Sequence, residues 1–328
     1  MRTSRHALFW LLISTGGLWG AASHEVLIIV GAAGQPAFAS GFKDAAKAWT
    51  EACGKAGAEI IVTGMEEPDR GADKEKVFQW IDNLDTTAAM PAWMVYVGHG
   101  TYNGRDGYLN LRGPDISASE LAGRLPQMDR TLIFIHGGSA SGPFLPAISG
   151  PNRIVISATR SGEEINYARF GEMFAQIVGS SSGDMDRDGQ TSLLEAFLSA
   201  HHAVDTFYKE AGRLASEHPL IDDNGDKLGT PPDWFRGTRV IKASESKRDP
   251  DGFRAHQIAL IPSELERKLS PEQRQRRDHL ESRLEALRKQ KSTTPEDLYY
   301  DQLESILLDL GKIYFPEECP PATRPKAL

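Results

Sequence analysis

Two short segments place groups that can take and give protons among glycines. Gly98-His99-Gly100 follows the apolar run Trp93–Val97, and His136-Gly137-Gly138-Ser139-Ala140-Ser141-Gly142 follows Thr131–Ile135. An imidazole accepts a proton near neutral pH. A serine hydroxyl becomes a nucleophile when such a base lies within hydrogen-bond reach. Glycines on either side let a substrate approach the main chain and leave N–H groups free for a developing oxyanion. His99 as base and Ser139 as nucleophile are the minimum equipment for acyl transfer. The simpler alternative is a pair of tight turns at strand ends. His136, beside Ser139, reads most simply as a packed side chain.

A second constellation suits a hard cation. Asp184-Met185-Asp186-Arg187-Asp188-Gly189 is followed by five residues and Glu195. That is the ligand spacing of an EF-hand calcium loop. Asp184, Asp186 and Asp188 take positions 1, 3 and 5, and Gly189 makes the turn at position 6. Gln190 offers its carbonyl, Ser192 its hydroxyl and Glu195 two carboxylate oxygens. The expected cofactor is Ca²⁺; the alternative is a polar turn that caps the following helix. Asp222-Asp223-Asn224-Gly225-Asp226 makes a weaker second loop, because Lys227 stands where the turn glycine belongs.

The elements that must position these groups follow from periodicity. Glu25–Val30, Glu59–Thr63, Trp93–Gly98, Thr131–Ile135 and Arg153–Ala158 are short apolar runs, as in strands buried on both faces. Helical patterns separate them, over Phe38–Ala56, Lys74–Leu84, Leu121–Leu125 and Phe170–Val178. Alternating strands and helices predict an α/β fold, three-layer α/β/α, with a mostly parallel sheet of about five or six strands. Reactive groups gather beyond the carboxyl ends of such strands. Neighbouring strands then bring His99 and Ser139 to one crevice. The character changes after Gly237. Ser270-Pro271-Glu272-Gln273 is a capping box, and Thr294-Pro295-Glu296-Asp297 opens a second helix. Leu280, Leu284 and Leu287 on one, and Tyr299, Leu303, Ile306 and Leu310 on the other, predict a C-terminal α-helical hairpin. The expected organisation is a leader over 1–23, the α/β domain over 24–237 with its loop at 184–195, and a linker with helical appendage over 238–328.

Arg2 and Arg5 precede an apolar stretch from Ala7 to Trp19 and the small residues Ala21, Ala22 and Ser23, the pattern of a secretory signal peptide. The stretch is short for a span, which takes about 20 residues. The expected location is secreted or periplasmic, with no membrane span after cleavage near His24. In 328 residues the net charge is −8, which argues against nucleic acid as a partner. The two cysteines, Cys53 and Cys319, exclude a disulfide scaffold. No histidine pair has the spacing of a zinc site.

With these motifs in place, the chain resembles the legumain/caspase clan of cysteine peptidases. The resemblance runs from about His24 to Gly237, and is most specific from Trp93 to Phe174. It implies a caspase-like fold, with His99 in the catalytic histidine's place and Gly100 N–H as an oxyanion donor. It also puts Ser139, in Ser139-Ala140-Ser141-Gly142, where the clan carries its cysteine. A thiol is held as a thiolate beside histidine, whereas an alcohol is not pre-ionised that way. The expectation is a non-catalytic, calcium-binding homologue, a pseudoenzyme that binds a peptide or protein through its cleft or its C-terminal helices. The alternative is an endopeptidase using Ser139 with His99. A second alternative is an α/β-hydrolase-type esterase, from His136-Gly137-Gly138 and the G-x-S-x-G match Gly179-Ser180-Ser181-Ser182-Gly183.

Overall fold

The computed structural model describes residues 24–65, 72–242 and 250–315. The expected leader and Cys319 lie outside them. Strands β1 (Glu25–Val30), β2 (Glu59–Thr63) and β3 (Ala92–Val97) alternate with helices α1 (Pro36–Ala56) and α2 (Ala72–Asp82). A small antiparallel sheet follows, formed by β4 (Gly100–Tyr102), β5 (Gly107–Leu109) and β6 (Ile116–Ser117), and leads into α3 (Ala118–Arg124). Then come β7 (Leu132–His136), α4 (Phe144–Ile148), β8 (Arg153–Ser157), α5 (Phe170–Val178), α6 (Leu193–Glu210) and β9 (Leu220–Asp222).

The main sheet has the order β2-β1-β3-β7-β8-β9. All its pairings are parallel except that of β8 with β9. This is the mostly parallel α/β architecture that the sequence predicts. The inner strands are apolar on both sides because helices cover both, whereas edge strand β2, expected to be buried on both faces, leaves Ile60 and Ile61 exposed. Val26, Ile28, Trp93 and Val95 point to a core shared with Phe42 and Trp49 of α1, Phe174 of α5 and Phe197 of α6. The alternate residues Leu27, Ile29, Met94 and Tyr96 point to Val77 and Ile81 of α2, Leu121 of α3 and Phe144 of α4. The two-residue period of a strand thus fills two separate cores. No helix among the described residues is long and apolar enough to cross a membrane.

The change of character near Gly237 does not mark the end of the packed body. Ala255 and Leu260 are fully buried in the core beneath α1, α5 and α6. The main chain of this segment also pairs with the start of α6, where Leu193 N–H donates to Ile258 C=O at 2.7 Å. Beyond it, α7 (Phe253–His256) and α8 (Glu264–Lys268) lead to the expected hairpin of α9 (Pro271–Lys289) and α10 (Glu296–Tyr314). Leu280, Leu284 and Leu287 pack there against Tyr299, Ile306 and Ile313, in a small core of their own.

The loop after β9 forms despite Lys227, which adopts the left-handed turn conformation at φ 70°. Asp222 holds it by accepting from Gly225 N–H at 2.8 Å and Lys227 N–H at 2.9 Å. Beside it, buried Asp251 accepts from the N–H groups of Asp223 and Asn224 and from the Thr230 hydroxyl. Burial first, and then the neighbouring Asp223 charge, push the Asp251 carboxyl up to about 8, against the Thr230 hydrogen bond. The folded chain therefore keeps a proton that an unfolded aspartate, near pKa ~3.9, has lost. The contribution of Asp251 to stability should fall as pH rises from about 4 to about 8. The isosteric Asp251→Asn variant should remove most of that slope, as read from urea midpoints measured across this range.

Candidate functional site

The sheet order makes β3 and β7 direct neighbours, so the loops after them meet at one edge. The main chain of Gly100 lies against Ser139: a Cβ at position 100 would come within 2.3 Å of the Ser139 carbonyl oxygen. Only glycine permits that approach. The Ser139 hydroxyl donates to Gly100 C=O at 3.2 Å and accepts from Gly100 N–H at 3.3 Å. The Ser139 residue is 2% exposed. Its hydroxyl is thus engaged twice by the N–H and C=O of one residue.

His99 is brought to the same edge but into a different environment. Its ring packs edge-on against Phe38 and Phe42 of α1 and Tyr167 of the loop before α5, with centroids 4.6, 5.1 and 5.6 Å away. Burial holds its imidazole below the usual histidine range, against the backbone carbonyl of Ala33, which favours the protonated ring. No hydrogen bond joins His99 to Ser139 among the described residues. Phe38, Phe42, Tyr167 and Ala33 are parts of the site that the sequence reading missed. The Gly31-Ala32-Ala33-Gly34 run after β1 is the signal that could have found Ala33, because it stands at the same sheet edge.

The neighbours of Ser139 are fixed just as tightly. Ala140 N–H donates to Glu164 C=O at 2.9 Å, and Ser141 and Thr159 share hydrogen bonds that tie the loops after β7 and β8 together. Arg160 and His218 both meet the Glu164 carboxylate, at 3.0 and 2.7 Å. The opposing charges of this loop therefore largely satisfy each other. His136 is fully buried among Tyr96, Phe134 and Phe144, the packed role expected of it. It accepts from Gly138 N–H at 3.2 Å through Nδ1, and burial brings its pKa down to about 3. The G-x-S-x-G match does not form a nucleophile elbow. Gly179–Gly183 follows helix α5 and contains a 3₁₀ turn at Ser181–Gly183, whereas an elbow needs a strand before it.

The acidic loop brings together Asp184, Asp186 and Asp188, one oxygen from each lying within 4.8 Å of the others. That span is about twice a Ca–O bond of ~2.4 Å, so the three fit around one calcium ion. Burial, and then the charge of Glu195, raise the Asp186 carboxyl; burial chiefly raises Asp188. Asp184 accepts from the N–H groups of Asp188 and Gly189, which closes the turn. Gln190 links the loop onward, donating to Asp188 and accepting from Ser263 N–H. Ser192 and Glu195 are placed otherwise. They form the capping box of α6, and Glu195 also accepts from Met185 and Asp186 N–H. The cluster of converging carboxylates therefore has three members and does not include Glu195. Cys53 is buried on α1 with no disulfide partner among the described residues, and burial pushes its thiol up to about 12.

No family model matches the chain, and no curated protein matches it. Among solved structures it is similar to the Drosophila initiator caspase Dronc, with a TM-score of 0.40 and 10% identity over 62% of this chain and 80% of that one. The chemistry of the site rests on its own geometry.

Ser139→Ala should lower stability by about 1–3 kcal/mol, because Gly100 N–H loses its acceptor in a buried place. Gly100→Ala should cost more, since its methyl group would meet main chain that has no rotamer to yield. Chemical denaturation of the two variants measures both. Equal stability of Gly100→Ala and wild type would contradict the close approach described above.

Proposed function

We propose that the protein is an exported, non-hydrolytic homologue of the legumain/caspase-type peptidases that binds a peptide or protein ligand at the carboxyl edge of its sheet. One observation carries the non-hydrolytic reading: the hydroxyl at the nucleophile's position is bonded in both directions to Gly100 and has no base. An alcohol attacks a carbonyl only when a base removes its proton as it does so. Here the imidazole is caged by aromatic rings, and the N–H that would stabilise an oxyanion is spent on the serine itself. The glycine-lined edge and the loops after β3, β7 and β8 remain as a surface on which a chain can lie.

The loop at 184–195 is proposed to hold Ca²⁺ through Asp184, Asp186 and Asp188, with the Gln190 carbonyl and Ser192 completing the shell and Glu195 joining it by leaving its cap. The ion's role is structural: it neutralises carboxylates that burial and mutual repulsion disfavour, and it fixes the start of α6.

Incubation with a mixed peptide library, read by mass spectrometry, should show no cleavage by wild type with or without calcium. Equilibrium dialysis of the same library should show retained peptides. Cleavage that disappears in Ser139→Ala would establish the serine endopeptidase instead, and absence of any retained peptide would remove the binding role. Calcium at about 100 times its Kd should stabilise the protein by about 2.7 kcal/mol relative to chelator. Asp184→Ala should lose that difference. Identical melts for wild type in calcium and in chelator would reduce the loop to a helix cap.

A further inference from the structure

A cavity of about 550 Å³ opens at the same sheet edge. It lies between the residues that follow β1 and those that follow β2. Its floor is Val30 to Ala33, its sides include Gly64, Met65 and Arg112, and α1 covers it with Ala39, Phe42 and Lys43. The volume falls within the range of small-molecule sites, about 300–1,000 Å³.

The fold explains why a hollow forms there. The chain leaves β1 for α1 on one face of the sheet and leaves β2 for α2 on the other, as the membership of the two cores shows. Adjacent strands whose connections part to opposite faces leave a crevice beyond their carboxyl ends, and ligands bind in such crevices. Gly31 lets the floor pack closely against Tyr96, because a Cβ there would come within 2.3 Å of the Tyr96 hydroxyl.

Among the described lining residues the charged ones are Lys43 and Arg112, and none is a carboxylate. Arg112 is already held by Asp73, through Nε at 2.8 Å and Nη2 at 2.9 Å. Lys43 is exposed at the rim, and no described carboxylate pairs with it. Phe42, Met65 and Ala39 supply apolar walls. We propose that this cavity is a binding site for a carboxylate carried on an apolar body, such as the end or the acidic side chain of a short peptide, with Lys43 meeting the carboxylate. The proposal does not depend on Ser139 being inert.

Occupancy has a built-in reporter. Phe42 lines the cavity and also packs on the His99 ring, and Ala33 contributes to the floor while its carbonyl faces the same ring. A ligand in the cavity should therefore shift the His99 imidazole resonances.

The test is an NMR titration of the full chain with N-acetyl-alanyl-leucine as free acid and as amide, and with N-acetyl-aspartyl-leucine amide. The free acid should shift the His99 resonances and bind about fivefold tighter than its amide. Lys43→Glu, an exposed change that leaves the fold intact, should weaken the acid by about tenfold. Ala39→Trp should block the cavity and abolish the shifts. An aspartyl amide that binds as well as the acid assigns the site to acidic side chains; one that binds like the neutral amide assigns it to chain ends. Equal affinity for acid and amide, or His99 shifts that persist in both variants, would overturn the proposal.

Discussion

The arrangement of the site depends on one close approach, in which two main-chain segments touch with no side chain between them. Gly100 presents both its N–H and its C=O to the Ser139 hydroxyl. The approach is possible only because β3 and β7 are neighbours and because neither Gly100 nor Gly138 carries a Cβ; one at Gly138 would come within 1.9 Å of the Gly98 carbonyl. A larger residue at either position would force the two loops apart. Both polar main-chain groups of Gly100 are thus taken by the protein's own hydroxyl.

Much of this was legible before any coordinates. The five apolar runs and the helices between them announce a parallel sheet because a strand covered on both faces has no polar side. The ends of two such runs carry His99 and Ser139, and strand adjacency follows from the rule that successive units pack side by side. What was not legible was orientation. Sequence places a histidine at a strand end but does not say which way its ring turns, and here Phe38, Phe42 and Tyr167 capture it. Those three come from a helix and a loop with no motif in common, so only the tertiary fold assembles them. The antiparallel edge strand β9 was also missed, being three residues long and without periodicity.

The acidic loop shows how one segment serves two ends. Its spacing reads as a calcium loop, and Asp184, Asp186 and Asp188 converge as that reading requires. Yet the same stretch starts a helix: Ser192 and Glu195 form its capping box, while the other Glu195 oxygen accepts from the Met185 and Asp186 N–H groups of the loop. Lys227 teaches the converse. Its side chain argues against a turn at that position, but Asp222 and the surrounding hydrogen bonds hold its backbone in the left-handed region all the same. Tertiary contacts override a local preference of about a kilocalorie.

The stretch from Asp251 to Ile261 bears on how the molecule can be handled. It reads as the start of a linker, yet it plugs the core with Ala255 and Leu260, zips onto the beginning of α6, and sets His256 beside Asp186 of the acidic loop at 3.4 Å. A recombinant fragment cut where the sequence changes character would therefore expose the underside of α6 and unseat the very loop that gathers the three carboxylates. The smallest autonomous body of this protein must be sought downstream of that stretch.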